Sequence, residues 1–339
     1  MSLPKIIVTG GAGYIGAHTA VELLAAGFEP ILVDNFSRSN DRLLLGLKEL
    51  TGKELKFYQL DCKNRSDLRR VFQQHPDTQA VIHFAAFKSV GESVAFPGLY
   101  YENNIGSLLA LNEVMREFDV NKIVFSSSCT VYGQPDQIPV TEETPFQIAQ
   151  SPYGATKQMC ERILMDQAVA VNTLRVVSLR YFNPIGAHPS SLIGELPIGV
   201  PNNLVPFITQ TAIGKRKELT VFGDDYDTPD GSCLRDYIHV VDLAKAHVCA
   251  LQHIESLPNR FEPINLGSGK AVSVLELIGN FIRVTGEKIP YTIGPRRPGD
   301  VVKVYADPRK SKQLLHWQTK FTESDALLHA WNWEKRLKA

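Results

Sequence analysis

The sequence predicts an α/β fold, a doubly wound parallel sheet followed by a smaller and less regular C-terminal region. Short β-branched runs, which are typical of buried strands, alternate with longer segments of helical spacing through the first half of the 339 residues. A glycine-rich turn joins the first run to the first helical segment, and the alternation stops near Tyr181. Strand–helix alternation implies right-handed crossovers, and hence a parallel sheet covered on both faces.

Each β-branched run predicts one strand, and each periodic segment between two runs predicts one helix. The predicted strands are Lys5–Thr9, Pro30–Asp34, Lys56–Asp61, Ala80–Phe84, Lys122–Ser126 and Leu174–Arg180. The predicted helices are Tyr14–Gly27, Asp41–Leu50, Ser66–His75, Leu99–Asp119 and Pro152–Ala170. Beyond these, only Asp236–Leu251 and Val272–Thr285 keep a strand or helix pattern. We therefore expect one domain over residues 1–182 and a second over 183–339, with segments around 236–270 packing back on the first.

The composition excludes several classes of protein. Lys and Arg number 36, and Asp and Glu also number 36, so the formal net charge is zero. This balance argues against a nucleic-acid binder and against an electrostatic membrane anchor. Five cysteines without a C-x-x-C pair fit neither a disulfide framework nor a zinc site, so no metal is expected. Reduced thiols and the lack of a signal-peptide pattern predict a soluble cytoplasmic protein.

The glycine-rich turn predicts a dinucleotide site of the Rossmann type. Gly10 permits a tight turn, Gly13 lets the backbone approach a pyrophosphate, and Gly16 lets the helix pack close to the strand. The helix start offers free N–H groups and partial positive charge to phosphates. Asp34 ends the second strand, where a carboxylate can bind the adenosine ribose and repel a 2′-phosphate. NAD is therefore predicted, although Arg38 nearby is a feature that would favour NADP.

A second motif predicts acid–base chemistry. Ser151 is a suitable N-cap and Pro152 a suitable first residue for a helix that carries Tyr153 and Lys157 on one face. An ammonium group near a phenol favours the phenolate, so Lys157 is expected to lower the Tyr153 pKa from its usual value near 10. Tyr153 could then accept a proton from a substrate hydroxyl.

The end of the fifth strand supplies a third candidate. Ser126, Ser127, Ser128 and Cys129 follow one another there, at the edge of the sheet where catalytic groups gather. The alternative interpretation of these serines is structural: their hydroxyls would only form hydrogen bonds with the backbone at the end of the strand. Cys129 has no evident His partner, so packing is the better interpretation for its thiol.

The G-x-x-G-x-x-G spacing, together with these motifs, resembles the extended short-chain dehydrogenase/reductase family. The match narrows to the UDP-galactose 4-epimerase family and covers nearly the whole chain. It is carried by the stretches Ser89–Val94, Ser126–Gly133, Gln150–Lys157, Leu179–Pro189, Gly199–Leu204, Asp224–Val240 and Arg296–Asp307. Ser128-Cys129-Thr130 lacks the acidic residue that a sugar-nucleotide 4,6-dehydratase would carry there.

The resemblance implies a reversible C4 epimerisation of UDP-glucose and UDP-galactose through a transient 4-keto intermediate, with tightly bound NAD. Its catalytic residues would be Tyr153 as base, Ser128 as the bridging hydroxyl and Lys157. The cofactor residues would be Gly10, Gly13, Tyr14, Ile15, Gly16, Asp34, Asn35, Ser37, Asp61, Cys62, Phe84, Ala85, Ala86, Lys88, Asn103, Ser126, Tyr153, Lys157 and Tyr181. The residues that hold the UDP-sugar would be Ser128, Thr130, Tyr153, Asn183, Asn203, Leu204, Phe222, Arg235, Arg297, Asp300 and Val304.

Some interpretations stay open at this stage. An alternative interpretation of Arg235 is that it forms a surface ion pair with Asp236. An alternative interpretation of Phe222 is that it is a residue of the hydrophobic core. The resemblance implies that the residue at the position of Val304 has a bulky side chain in family members confined to glucose and galactose. A Val at this position therefore predicts a sugar pocket with room for UDP-GlcNAc and UDP-GalNAc. A UDP-glucuronate epimerase or decarboxylase is the nearer rival function, and a non-catalytic NAD or sugar-nucleotide sensor is the more distant one. The resemblance also implies a homodimer through the helices Leu99–Asp119 and Pro152–Ala170.

Overall fold

The computed structural model describes residues 3–297 and 300–338, so Pro298 and Gly299 of the run 296–307 lie outside it, as do both ends of the chain. The strands are β1 (Lys5–Thr9), β2 (Glu29–Asp34), β3 (Lys56–Gln59), β4 (Thr78–His83), β5 (Lys122–Ser128), β6 (Arg175–Tyr181), β7 (Asn183–Ile185), β8 (Leu219–Phe222), β9 (Leu234–Arg235), β10 (Tyr237–His239), β11 (Phe261–Leu266), β12 (Val272–Ser273), β13 (Tyr291–Gly294) and β14 (Lys303–Val304). The helices are α1 (Tyr14–Ala25), α2 (Arg42–Thr51), α3 (Arg65–Gln74), α4 (Val90–Ala95), α5 (Pro97–Tyr100), α6 (Gly106–Glu117), α7 (Pro152–Ala170), α8 (Leu204–Ala212), α9 (Val240–His253), α10 (Val274–Thr285), α11 (Arg309–Leu315) and α12 (Glu323–Lys338).

Seven of these strands form one parallel sheet in the order β11-β6-β5-β4-β1-β2-β3. Strand β1 lies between β2 and β4, with Thr9 opposite Val33 on one side and His83 on the other. The order of the strands reverses at β1, and the carboxyl ends on either side of such a reversal flank the crevice in which doubly wound folds bind ligands. The predicted fold class is confirmed.

Helices cover both faces of the sheet, because its strands are apolar on both sides. Ile6 and Val8 of β1 contribute to one hydrophobic cluster, in which α1 and α9 pack. Ile7, between them in sequence, contributes to the cluster on the opposite face, with α3, α6 and α7. All three side chains are fully buried. This alternation assigns each side chain of the strand to one face of the sheet or the other.

The seventh strand was not predicted. Strand β11 pairs with β6, with Ile264 opposite Leu179. Glu262 and Pro263 interrupt its β-branched pattern, and the structure accommodates the buried Glu262 carboxylate by an ion pair with Lys310 at 2.6 Å. The division of the chain at residue 182 stays a prediction.

The helix predicted over Leu99–Asp119 is wrong in its first third. The structure has the short helix α5, then a π-helical segment at Tyr101–Ile105, and only then α6. The wider π turn places the side chains of Asn103 and Asn104 in the interior. There, the Asn104 amide donates to the Phe87 carbonyl at 3.0 Å and to the Thr156 hydroxyl at 3.0 Å. These buried polar contacts account for the departure from regular α-helix.

The remaining strands form three small sheets beside the crevice. Strand β7 pairs with β10, β9 lies between β12 and β14, and β8 pairs with β13. Helices α8, α10 and α12 surround a separate hydrophobic cluster that includes Phe281 and Trp331. Each helix in residues 3–297 and 300–338 is too short or too polar to span a bilayer.

Candidate active site

In the glycine turn between β1 and α1, backbone segments pack so closely that Gly10 and Gly16 have no room for a side chain. Gly10 has φ of +70°, and a Cβ atom there would lie 2.9 Å from the Ala85 amide nitrogen. A Cβ at Gly16 would overlap the Gly10 carbonyl oxygen. Helix α1 begins after Gly13 without a hydrogen bond from a capping side chain. The first-turn amides of Tyr14, Ile15 and Gly16 therefore remain donors for a phosphate, which fits a dinucleotide.

The Asp34 carboxylate holds this turn from the end of β2. It accepts hydrogen bonds from the Ala12 amide at 3.2 Å, the Phe36 amide at 3.0 Å and the Ser39 hydroxyl at 2.8 Å. An ionised carboxylate has about four acceptor positions, so one remains for a ribose hydroxyl. Arg38 instead pairs with Glu92 at 2.6 Å and packs over the Phe87 ring. This contact leaves the guanidinium engaged elsewhere, which favours NAD over NADP.

Other residues of the predicted cofactor set lie around the same crevice. The Tyr14 hydroxyl donates to the Gly186 carbonyl at 2.6 Å, and the Ala85 amide to the Thr9 hydroxyl at 3.4 Å. Phe84 packs on His247 with ring centroids 4.7 Å apart. Asp61 lies beyond the end of β3, which stops at Gln59, and its carboxylate accepts from the Lys63 amide at 2.8 Å.

The rest of that set is either buried or engaged with its neighbours. The Asn35 side chain accepts from the Ser37 amide at 2.9 Å, and the Asn103 amide donates to Asn104 at 3.1 Å. Cys62, which follows β3, is buried, and Ala86, which follows β4, is half-buried.

Helix α7 carries Tyr153 and Lys157 to the carboxyl end of β5. The Ser151 hydroxyl accepts from the Gly154 amide at 3.2 Å and so caps the helix start, as predicted, and Pro152 is its first residue. Lys157 is buried, and its ammonium donates to the Ser126 carbonyl at 2.7 Å. The same ammonium lies 5.9 Å from the centroid of the Tyr153 ring. The Y-x-x-x-K spacing therefore does bring the two side chains together.

The charge states of this pair differ from the prediction. Burial raises the pKa of Tyr153 to about 12, against a smaller lowering by hydrogen bonding to Ser128. Burial also lowers the pKa of Lys157 to about 8. The net direction of the Tyr153 pKa shift is thus opposite to the predicted lowering, because desolvation of the phenolate is its largest cause.

The three serines of β5 have three different partners. Ser126 shares a short hydrogen bond with the Tyr181 hydroxyl, which brings two predicted cofactor residues together. Ser127 donates to the Glu161 carboxylate, and Ser128 faces Tyr153 and accepts from the Thr130 amide at 3.3 Å. The Thr130 hydroxyl is buried without a hydrogen-bond partner in the described structure. An orphaned hydroxyl beside Ser128 fits a site that binds a polar ligand.

Cys129 behaves as a packing residue. Burial raises the pKa of its thiol to about 11, so the thiolate is disfavoured. Within the described part of the chain, no three His, Cys, Asp or Glu side chains converge as metal ligands would.

A buried ion pair behind the serines was missed by the sequence analysis. The Glu161 carboxylate accepts from Arg180 at 2.6 Å and from the Ser178 hydroxyl at 2.9 Å. Arg180 also donates to the Tyr132 hydroxyl at 3.1 Å. Glu161 lies one helical turn after Lys157, and from this spacing the sequence could have predicted that the two side chains share one face of α7.

Four of the predicted UDP residues lie together: Arg235, Arg297, Asp300 and Phe222. Arg235 in β9 and Arg297 both reach Asp300, at 3.5 Å and 2.7 Å. The Arg297 guanidinium lies 5.5 Å from the centroid of the Phe222 ring, which is 42% exposed and therefore not a core residue. The alternative pairing of Arg235 with Asp236 is wrong, because the buried Asp236 carboxylate accepts from backbone amides such as that of Ala306 at 3.1 Å.

Two asparagines and a leucine are also among the predicted UDP residues. Asn183 begins β7, and its backbone N–H donates to the Asp236 carbonyl at 3.0 Å. Asn203 stands directly before Leu204, the first residue of α8, and donates through its side-chain amide to Glu195 at 2.5 Å. Lys88, from the cofactor set, pairs with the same Glu195 at 3.1 Å. Glu195 is a further residue that the sequence analysis missed.

Val304 is buried in a small apolar cluster. It lies in β14 opposite Arg235 of β9 and packs with Val131, Tyr132 and Phe182. Only 5% of Val304 is exposed. A larger side chain at this position would have to displace its neighbours or extend toward the crevice.

Comparison with known proteins shows which family and which enzymes this chain is similar to. The family model described as the NAD dependent epimerase/dehydratase family matches residues 6–267. UDP-glucose 4-epimerase from Bacillus subtilis (strain 168) is 50% identical over 329 residues, which cover 97% of this chain and 96% of that protein. The crystal structure of UDP-glucose 4-epimerase from Bifidobacterium longum in complex with NAD+ and UDP has a TM-score of 0.95 and 47% identity, and covers 98% of each chain. That of UDP-glucose-4-epimerase from Stenotrophomonas maltophila, with bound NAD and formylated UDP-arabinopyranose, has a TM-score of 0.95, 44% identity and coverage of 99% of each chain.

Proposed function

The chain belongs to the NAD dependent epimerase/dehydratase family, and we propose that it acts as a UDP-glucose 4-epimerase, which interconverts UDP-glucose and UDP-galactose. The observation that carries this proposal is the convergence of Ser128, Tyr153 and Lys157 beside the glycine turn, at the carboxyl end of the sheet. NAD, when bound, supplies the redox chemistry by which C4 is oxidised to a ketone and reduced again.

Tyr153 is the general base of the proposed reaction. It removes the proton of the sugar's 4-hydroxyl, with Ser128 as the bridging hydroxyl. Because burial raises the Tyr153 pKa, positive charge has to offset that cost. The buried Lys157 ammonium and the positive charge carried by NAD⁺ are the groups that do so, and the Ser126 carbonyl holds Lys157 in place.

The opposite wall of the crevice holds the nucleotide. Arg235 and Arg297 supply bidentate donors for the pyrophosphate, and Asn183 and Asn203 supply amides. Asp300 keeps the two arginines together, and Phe222 offers an exposed ring next to Arg297. A firm hold on UDP leaves the hexose free to present its other face, as inversion at C4 requires.

The direct test is to incubate the purified protein with UDP-galactose and to measure UDP-glucose. Formation of UDP-glucose supports the proposal, and its absence with NAD-loaded protein contradicts it. UDP-glucuronate as a second substrate tests the rival epimerase or decarboxylase. A protein that binds UDP and NAD but converts neither substrate would be a sensor, although the presence of Tyr153, Lys157 and Ser128 together disfavours that function.

N-acetylated sugars are proposed as further substrates. Val304 is small and stands where a bulky side chain accompanies restriction to glucose and galactose. Turnover of UDP-GlcNAc and UDP-GalNAc, measured beside that of the plain pair, tests this proposal. No detectable UDP-GlcNAc turnover would overturn it.

A homodimer is also proposed, through the faces of α6 and α7. Helix α7 exposes the large apolar side chains of Met159, Met165 and Val169, the last at 69%, and α6 exposes that of Leu109. Exposed apolar surface in a contiguous region is typical of a protein interface.

We propose a cytoplasmic location, since all five cysteines are free in the structure. Cell fractionation with detection of the chain tests the location.

A further inference from the structure

An ion pair joins the loop after β2 to the segment after β4. Arg38 Nη2 lies 2.6 Å from Glu92 Oε1, and the two side chains are 52% and 28% exposed. The Arg38 guanidinium also lies 4.7 Å from the centroid of the Phe87 ring. Both partners of Arg38 follow β4 in the chain, whereas Arg38 follows β2. One side chain therefore connects the carboxyl ends of two strands that are not neighbours in the sheet.

Each end of this ion pair is anchored to its own segment of the fold. On the β4 side, the Tyr100 hydroxyl donates to Glu92 Oε2 at 2.8 Å, and the Glu92 amide donates to the Ser89 hydroxyl oxygen at 3.3 Å. The Tyr100 side chain is fully buried. On the β2 side, the hydroxyl of the adjacent Ser39 donates to the Asp34 carboxylate at 2.8 Å. The pair therefore links two fixed segments and is more than a contact between two mobile side chains.

The ion pair spans the part of the crevice in which the proposed function places the dinucleotide. Strand β1 lies between β2 and β4, and its carboxyl end leads into the turn at Gly10–Gly16. Amides at such a turn bind the phosphates of a dinucleotide, and a carboxylate in the position of Asp34 binds its adenosine ribose. A contact from the loop after β2 to the segment after β4 therefore crosses the groove at the carboxyl end of β1.

From this crossing, we propose that Arg38 and Glu92 form a clasp that controls how fast NAD leaves the site. NAD dissociates only when the two side chains separate. The inference rests on the proposed function, in which the same NAD oxidises C4 and reduces it again within one turnover. Such a reaction needs no exchange of the cofactor, so a clasp that slows dissociation does not slow catalysis. Arg38 and Glu92 are positioning residues, because they act on NAD through the two segments that they join.

The variant Arg38→Met opens the clasp. Methionine removes the positive charge and keeps an apolar side chain next to Phe87. We expect the rate constant for cofactor dissociation to rise about threefold to tenfold, which is the range for the loss of an exposed ion pair together with a cation–π contact. The measurement is stopped-flow fluorescence: protein loaded with NADH is mixed with excess NAD⁺, and the loss of the bound NADH signal is followed.

The matched control is Arg336→Met. Arg336 pairs with Glu49 at 2.8 Å, and the two side chains are 44% and 60% exposed. This pair joins α12 to α2, away from the carboxyl end of β1. The control variant should therefore release NADH at the wild-type rate.

The variant Glu92→Gln distinguishes a clasp from a direct contact of Arg38 with the cofactor. If Arg38 bound a phosphate of NAD, removing the competing carboxylate would strengthen that contact and slow the release. A clasp requires the opposite result, and we expect release from Glu92→Gln to be about twofold to fivefold faster, because the ion pair is lost. Glutamine keeps an oxygen that accepts the Tyr100 hydroxyl, so this anchor remains.

The double variant tests whether the two residues act as one unit. In the Arg38→Met background, Glu92→Gln should change the dissociation rate by less than about 1.5-fold, because the pair is already broken. A general loosening of the site would instead add a second increase.

The inference is overturned if Arg38→Met releases NADH at the wild-type rate, if Glu92→Gln slows the release, or if the two effects multiply. Any of these results in a wild type that epimerises UDP-galactose would leave the proposed function intact. A wild type that binds no NADH would overturn both.

Discussion

The Glu161 carboxylate and the Arg180 guanidinium form an ion pair in the interior of the sheet, with Oε2 and Nη2 2.6 Å apart. The two side chains are 1% and 4% exposed. Glu161 lies on α7 with Tyr153 and Lys157, and Arg180 lies on β6, the neighbour of the strand that ends at Ser128. The pair therefore joins the two elements that carry the proposed catalytic residues.

Neutralising one member of this pair should cost stability. We expect Glu161→Gln to lower the free energy of unfolding by about 3–5 kcal/mol, since it leaves the Arg180 charge buried without compensation. Urea denaturation measures this. The exposed pair of Arg162 and Asp166 on the same helix is the control, and Arg162→Gln should cost less than about 0.5 kcal/mol. A loss below about 1 kcal/mol for Glu161→Gln would contradict the role given to the pair.

Removing the Tyr153 hydroxyl should abolish most of the activity without unfolding the protein. We expect Tyr153→Phe to lower kcat for UDP-galactose at least about 100-fold, which is the usual contribution of a positioned general base. The assay is UDP-glucose formation, with the melting temperature as a check on folding. Tyr291→Phe, at a tyrosine 45% exposed on β13, should retain full activity. Near-full activity of Tyr153→Phe would falsify the assigned base.

Buried histidines should make the protein sensitive to acid. Burial lowers the pKa of His18 to about 3, and it lowers those of His83 and His239 to about 3 and that of His247 to about 4. These groups stay neutral in the folded state but bind protons in the unfolded chain as pH falls below about 6.5. The unfolded state then binds more protons, so stability is lost as pH falls from about 6.5 toward 4.

The variant His18→Gln isolates one of these contributions. Each such histidine steepens the pH dependence by up to about 1.4 kcal/mol per pH unit, and the variant should be shallower by that amount below pH 5.5. Urea unfolding at pH 7.5, 6.5, 5.5 and 5.0 gives the slope. His253→Gln changes a partly exposed histidine and serves as the control. An unchanged slope in His18→Gln would show that His18 takes up its proton in the folded protein.

A charge in the apolar face of α7 should separate the proposed dimer. Light scattering should find the wild type at twice the chain mass of 37.7 kDa and Val169→Glu at that mass. The control Leu328→Glu alters an apolar side chain on α12 that is also exposed, at 39%, and should leave the dimer intact. A wild type that is monomeric at micromolar concentration would refute the proposed dimer directly.

Local patterns made part of this protein predictable from its sequence. The glycine turn and the Tyr153–Lys157 spacing each depend on a few neighbouring residues, and the structure brings them to one crevice as the alternation of strands and helices implies. Asp34 was predictable because the end of β2 is adjacent to the turn in any parallel arrangement of this kind.

Features that depend on distant partners were not predictable in this way. Glu161 and Arg180, or Glu195 and Lys88, are far apart in sequence, and an isolated charged residue is usually a surface one. The direction of the Tyr153 pKa shift was predicted wrongly because burial, which is a property of the whole fold, is its largest cause and raises the pKa. Strand β11 was missed since Glu262 and Pro263 break the pattern that a single sequence offers.

The size of the side chain at position 304 should decide between plain and N-acetylated sugars. Val304 is 5% exposed and packed, so a tyrosine there has to displace its neighbours or extend into the crevice, and either change reduces the room next to the sugar. We expect Val304→Tyr to lower kcat/KM for UDP-GlcNAc at least about tenfold relative to UDP-galactose, because a discrimination of about 1–3 kcal/mol is typical of a small steric change in a pocket. Val304→Ala keeps the room and should turn over both substrates. If Val304→Tyr lowers both values of kcat/KM equally, position 304 supports the fold of the site and does not select the substrate.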